Sequence, residues 1–112
     1  MTINEYTSIL EILMDSLLEK TYNNKLKWSS TVNSNSSITY KATILPEMIT
    51  VICIIYENGC INIYIIIDNC CTKINSNICC NNNVEKKIYE LKCILEEASH
   101  NTVIYKLKDL IV

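Results

Sequence analysis

Hydrophobic residues recur at helical spacing near the start of the chain. Tyr6, Ile9, Leu10, Leu13, Leu17 and Leu18 fall three and four apart, with Glu11, Asp15 and Glu19 outside the stripe. That pattern predicts an amphipathic helix to about Thr21. Thr2-Ile3-Asn4-Glu5 reads as its capping box, and Tyr22-Asn23-Asn24 ends it. The period then changes to two. Leu26, Trp28, Ser30 and Val32 alternate with Lys27, Ser29 and Thr31 and predict a first strand. Residues 33–37 are polar turn material. Ile38, Tyr40, Ala42 and Ile44 alternate with Thr39, Lys41 and Thr43, a second and half-buried strand stopped by Pro46.

Residues 48–57 and 60–68 flank Asn58-Gly59, a dipeptide suited to a type I′ turn because both central residues need positive φ. In that register Glu57 pairs with Cys60, and Tyr56, Ile54 and Ile52 face Ile61, Ile63 and Ile65 on one wholly apolar side. This side is expected to be the core. Val51, Cys53, Ile55, Asn62, Tyr64 and Ile66 occupy the other, which is too apolar for a fully solvated face. Residues 48–67 approach membrane-spanning length, but Glu57, Asn58, Gly59 and Asn62 sit near the middle. A buried hairpin is the expectation, not a membrane span.

Residues 69–83 read as a polar loop with paired cysteines. Asn82 or Asn83 caps a second helix, along which Val84, Ile88, Leu91, Leu95 and Ala98 form a stripe. Lys86 with Glu90 and Lys92 with Glu96 add four-apart pairs. Ser99-His100-Asn101 is expected to interrupt it. Beyond, Val103, Tyr105 and Leu107 alternate as in a strand, whereas Val103, Ile104, Leu107, Leu110 and Ile111 suit a helix; Thr102 as a cap favours the helix. The expected architecture is one α+β domain over residues 1–112: an N-terminal helix, a four-stranded antiparallel meander in order 1-2-3-4, and one or two C-terminal helices on one face.

Composition narrows the function classes. The chain is 49% hydrophobic and 20% charged, as expected of a globular domain rather than a disordered one. Isoleucine, asparagine, lysine and tyrosine are heavily used and arginine and phenylalanine are absent, a bias that points to AT-rich coding (parasite, phage, virus or low-GC bacterium) rather than to function. Net charge is −2 and all ten cations are lysines. Without arginine or a lysine-rich patch, nucleic-acid binding is not expected. The N-terminus has no basic region leading into an apolar core, so no signal peptide is predicted and the expected location is intracellular, cytoplasmic or nuclear. Seven cysteines then read as free thiols in a reducing compartment.

Candidate chemistry is sparse. Cys70-Cys71 and Cys79-Cys80 could hold tetrahedral zinc with help from Cys60, Cys93 or His100, but no Cys-x-x-Cys spacing exists, and codon drift in a loop explains the pairs more plainly. His100 is the only histidine; a surface position between two helices is its default, because nothing places a thiol beside it. One glycine cannot build a phosphate cradle, and Glu96-Glu97 reads as a solvated face. No catalytic residue, cofactor or metal set is therefore expected. The leading expectation is a non-enzymatic protein–protein interaction module, an adaptor or assembly subunit, with Val51, Cys53, Ile55, Tyr64 and Ile66 as partner-binding residues. Trp28 joins them if its ring faces outward. The partner would be a second copy in a homodimer or a different protein. Two alternatives stand beside it: a small phage or viral inhibitor of a host defence protein, and a zinc-stabilised module using the Cys70 to Cys80 loop.

The order of elements and three short motifs resemble the RWD domain, a non-catalytic relative of the ubiquitin-conjugating fold. "NEYTSILEILMDS" is similar to that family's opening helix, "YKATILPE" to its strand ending in Leu-Pro-Glu, and "LEEASHNTVIYKLKDLI" to its closing helical pattern. The family's Tyr-Pro with a following second proline is missing, since Pro46 is the only proline. His100-Asn101 lacks the proline of the His-Pro-Asn motif in conjugating enzymes, so ligation chemistry is not implied. "LKWSSTV" and the following hairpin resemble COMM domains instead. Both resemblances imply a protein-interaction module.

Overall fold

The structure, a computed structural model, describes residues 2–75 and 82–111. Helix α1 spans Ile3–Tyr22, and the Thr2 hydroxyl accepts from the Glu5 amide at 3.1 Å to cap it. Its end is a Schellman motif. Asn24 adopts φ +57°, the Lys25 amide donates to the Lys20 carbonyl and the Asn24 amide to the Thr21 carbonyl. Asparagine tolerates the left-handed conformation better than most residues, which explains why helix formation stops here.

Five antiparallel strands follow in a meander of order β1-β2-β3-β4-β5. They are β1 (Ser29–Val32), β2 (Ile38–Ile44), β3 (Ile49–Ile55), β4 (Ile61–Ile67) and β5 (Cys70–Asn75). The fold class is therefore α+β as expected, with five strands instead of four. The extra one is the first part of the predicted cysteine loop. Asp68 and Asn69, with φ +48° and +67°, form a two-residue turn that pairs Ile67 with Cys70. This is the doubly left-handed turn expected at Asn58-Gly59, placed one hairpin later.

At Asn58-Gly59 the loop has three residues. The Gly59 amide donates to the Tyr56 carbonyl at 3.0 Å, and the Tyr56 amide to the Cys60 carbonyl at 2.9 Å. Gly59 alone takes positive φ, +88°, while the Asn58 side chain accepts from the Cys60 amide at 3.0 Å. This is a type I turn closed by a left-handed glycine. The register moves accordingly: Ile55 pairs with Ile61, Cys53 with Ile63 and Val51 with Ile65. A one-residue slip moves every side chain of a strand to the opposite face. Val51, Cys53 and Ile55 are consequently 0, 0 and 6% exposed and belong to the core. Ile52 and Ile54, expected inside, lie outside.

Helix α2, Asn82–Ile111, is continuous over 30 residues. Ser99-His100-Asn101 does not break it. These residues cost a helix only about 0.5–0.7 kcal/mol each relative to alanine, far less than proline, and no glycine or proline follows Asn83. Both helices cover the same face of the sheet. Leu10, Met14, Leu17 and Leu18 from α1, with Val84, Ile88, Leu91 and Leu95 from α2, meet the inward side chains of β2 to β5. On the solvent side of the helix pair, Lys87 reaches Asp15 at 2.9 Å and Glu11 at 3.4 Å, and Tyr22 donates to Glu90 at 2.8 Å. The bond to Asp15 is the main cause that raises the Lys87 pKa, and the bond to Glu90 is the main cause that raises that of Tyr22. A helix of this length runs about 45 Å, twice the roughly 23 Å of a seven-residue strand. The end of α2 therefore overshoots the sheet, leaving Leu107, Leu110 and Ile111 exposed.

Candidate interaction face

The side of the sheet turned away from the helices is covered by no other element among the described residues. Its side chains follow from the alternation in each strand and line up in rows across the meander. One row runs Ser29, Lys41, Ile52, Tyr64, Lys73 through all five strands. A second runs Thr31, Thr39, Ile54, Asn62, and a third Thr43, Thr50, Ile66, Cys71. The middle of the face is thus a ridge of Ile52, Ile54, Tyr64 and Ile66 on the two central strands. Each is half-buried by its neighbours. Hydroxyls, an amide and lysines flank the ridge.

Two polar contacts hold the aromatic groups. The Lys73 ammonium lies 5.9 Å from the Tyr64 ring centroid, a cation–π distance. The Asn62 side-chain amide donates to the Tyr56 hydroxyl at 3.3 Å. No strand contains an aspartate or glutamate; Lys41 and Lys73 are the only charged residues in the sheet, and both sit on this face.

Of the six residues expected to bind a partner, Tyr64 and Ile66 lie on the open face. Val51, Cys53 and Ile55 do not. Burial pushes the Cys53 thiol up to about 12, so it is a packing group rather than a reactive one. Trp28 is on the helix side, partly buried against the core, and its indole N–H donates to the Thr21 hydroxyl at 3.1 Å. Its ring lines a groove of about 770 Å³ with Leu26, Val32, Ile38, Tyr40 and Ile94, where the helices leave β1 uncovered. Only Ser29–Val32 of the predicted first strand is extended and paired; Leu26 is buried ahead of it.

Sequence reasoning missed Ile52 and Ile54. A signal was available within residues 49–56. The even positions Thr50, Ile52, Ile54 and Tyr56 carry two hydroxyls, and the odd positions Ile49, Val51, Cys53 and Ile55 carry none. Unpaired hydroxyls are costly to bury, which favours the even set outside.

Of the two cysteine pairs, only Cys70-Cys71 falls among the described residues. Cys70 and Cys71 are neighbours in β5, where successive side chains point to opposite faces. Cys79, Cys80 and the His100 side chain lie outside the described residues. Among the described ones, no group of three or more histidine, cysteine or acidic side chains comes together that could hold a metal ion. Nor is any described helix long and apolar enough to cross a membrane. In comparisons with known proteins, no family model, no curated protein and no solved structure matches the chain.

Proposed function

We propose that this chain is a non-enzymatic protein-interaction module that binds a protein partner through the open face of its sheet. The observation that carries the reading is the Ile52–Ile54–Tyr64–Ile66 ridge on a face that the described elements leave uncovered. Apolar area on an antiparallel sheet is worth about 25 cal/mol per Å² when withdrawn from water, before the costs of association. An Ile-rich face left wet is also an aggregation hazard that a partner removes. The resemblances to RWD and COMM domains point the same way, since both are interaction modules.

A photocrosslinking amino acid placed at Ile54 tests this in the producing cell. The expected result is a discrete crosslinked protein that disappears when Ile52→Asp is added. Crosslinking from Val32, in the groove beside Trp28, with none from position 54 would move the interface to the helix side.

A further inference from the structure

The open face continues into a second feature. Beyond Lys41, the turn after α1 and the first two strands border an open recess of about 640 Å³ lined by three lysines (Lys25, Lys27 and Lys41), by Ser29 and Thr43, and by the apolar Ala42 and Leu45. None of the three lysines has an ion-pair partner among the described residues; the ion pairs there belong to Lys87 and Lys92 on α2. Three lysines on one recess whose lining holds no carboxylate create a local positive potential on a chain whose net charge is −2. Lys41 belongs to both features, because it pairs with Ile52 across β2 and β3.

We propose that the outer sheet face and the Lys25–Lys27–Lys41 recess form one docking surface for an acidic, aliphatic segment of a different protein. Carboxylates enter the recess and meet the lysine-bearing edges, and apolar side chains lie on the ridge of Ile52, Ile54 and Ile66. This rests on the reading of the face as an interface and adds the chemistry of its occupant. Charge complementarity selects that occupant. A second copy is disfavoured, since a two-fold face-to-face dimer sets the row that carries both Lys41 and Lys73 against a sheet whose strands have no acid to meet them. A nucleic acid would satisfy the lysines, but bases stack on aromatic planes, and the ridge between the lysines is mainly aliphatic.

Selection of a displayed random peptide library on the full chain at low salt tests the proposal. Enriched peptides should intersperse Asp or Glu with Ile, Leu or Val. Their affinity should fall about tenfold or more in the Lys25→Glu/Lys27→Glu/Lys41→Glu variant, and should also fall on raising the salt. It should be lost in Ile52→Asp. These lysines are exposed or at the surface, so circular dichroism of the charge variant should match the parent. Peptides without acidic bias that are lost in Ile52→Asp would overturn the acidic occupant and leave the face standing. Peptides that bind Ile52→Asp unchanged would overturn both. An absence of enrichment, or tighter binding of single-stranded oligothymidylate to the same face, would overturn the proposal.

Discussion

The two faces of the β3–β4 hairpin both carry isoleucines and have opposite fates. Val51, Cys53, Ile55, Ile61, Ile63 and Ile65 point to the helices and are buried. Ile52, Ile54, Tyr64 and Ile66 point away and remain half-buried. The presence of isoleucine does not separate them. What separates them is company on the same two strands: the inner six have no oxygen or nitrogen in any side chain, whereas the outer positions include Thr50 and Asn62. Two polar side chains on the hairpin itself mark which side of it can meet water.

The largest contrast should appear on truncation. Ile63→Ala removes a fully buried side chain and is expected to cost about 3 kcal/mol, whereas Ile52→Ala should cost less than about 1 kcal/mol. Urea unfolding of the two variants measures the gap, and equal losses would mean that both faces are covered.

Cys53 sharpens the contrast through pH. Its folded pKa is raised from 9.0 to about 12 by burial, so the folded state holds the proton more tightly than the unfolded one. The resulting stability is fully present below pH 9 and is lost as pH rises toward 12. The slope is about 1.4 kcal/mol per pH unit within that window. Cys53→Ala should lack this slope, although it is less stable at neutral pH. In the native protein an alkylating reagent should modify the exposed Cys60, Cys70, Cys71 and Cys93 and spare Cys53.

Much of this fold was legible in the pattern of residues. The first helix ends where Asn23 and Asn24 suggest, and β2 buries Tyr40 and Ala42 as its alternation requires. The face assignment of β4 was also readable, since Asn62 marks the outside. The face of β3 was misread, because Asn-Gly serves two hairpin geometries that differ by one residue in register, and the hydroxyls of Thr50 and Tyr56 were the signal that chooses between them. The fifth strand was hidden by its composition. Only Ile74 in Cys70–Asn75 is a buried apolar residue, and a polar sequence is what an edge strand needs in order to avoid pairing with another chain. Continuity of α2 past Asn101 was obscured by a polar triplet that resembles a stop but contains no glycine or proline.

The loop itself gives a smaller effect. A Cβ at Gly59 meets nothing within 4 Å, so Gly59→Ala tests backbone conformation without steric contact. At φ +88° it should cost about 1 kcal/mol. Gly59→Asn should cost less, and a thermal melt of the pair measures both. No loss in either variant would count against the left-handed glycine and the three-residue loop that depends on it. The smallest effect is expected at Ile54→Thr, which keeps a β-branched residue on the open face. Stability should change by no more than about 0.5 kcal/mol, while partner binding weakens. A large loss of stability would place Ile54 in the core.

The register of β3 is the central claim, because it decides which isoleucines are available to a partner. Circular dichroism melts of Val51→Asp and Ile52→Asp, neighbours in sequence, test it most directly. The account predicts that Val51→Asp fails to fold, since it buries an unpaired carboxylate. It predicts that Ile52→Asp, with Lys41 beside it across the β2–β3 pair, retains the parent spectrum and a cooperative melt. A folded Val51→Asp beside an unfolded Ile52→Asp would contradict it, restoring the two-residue turn and exchanging the core for the interface.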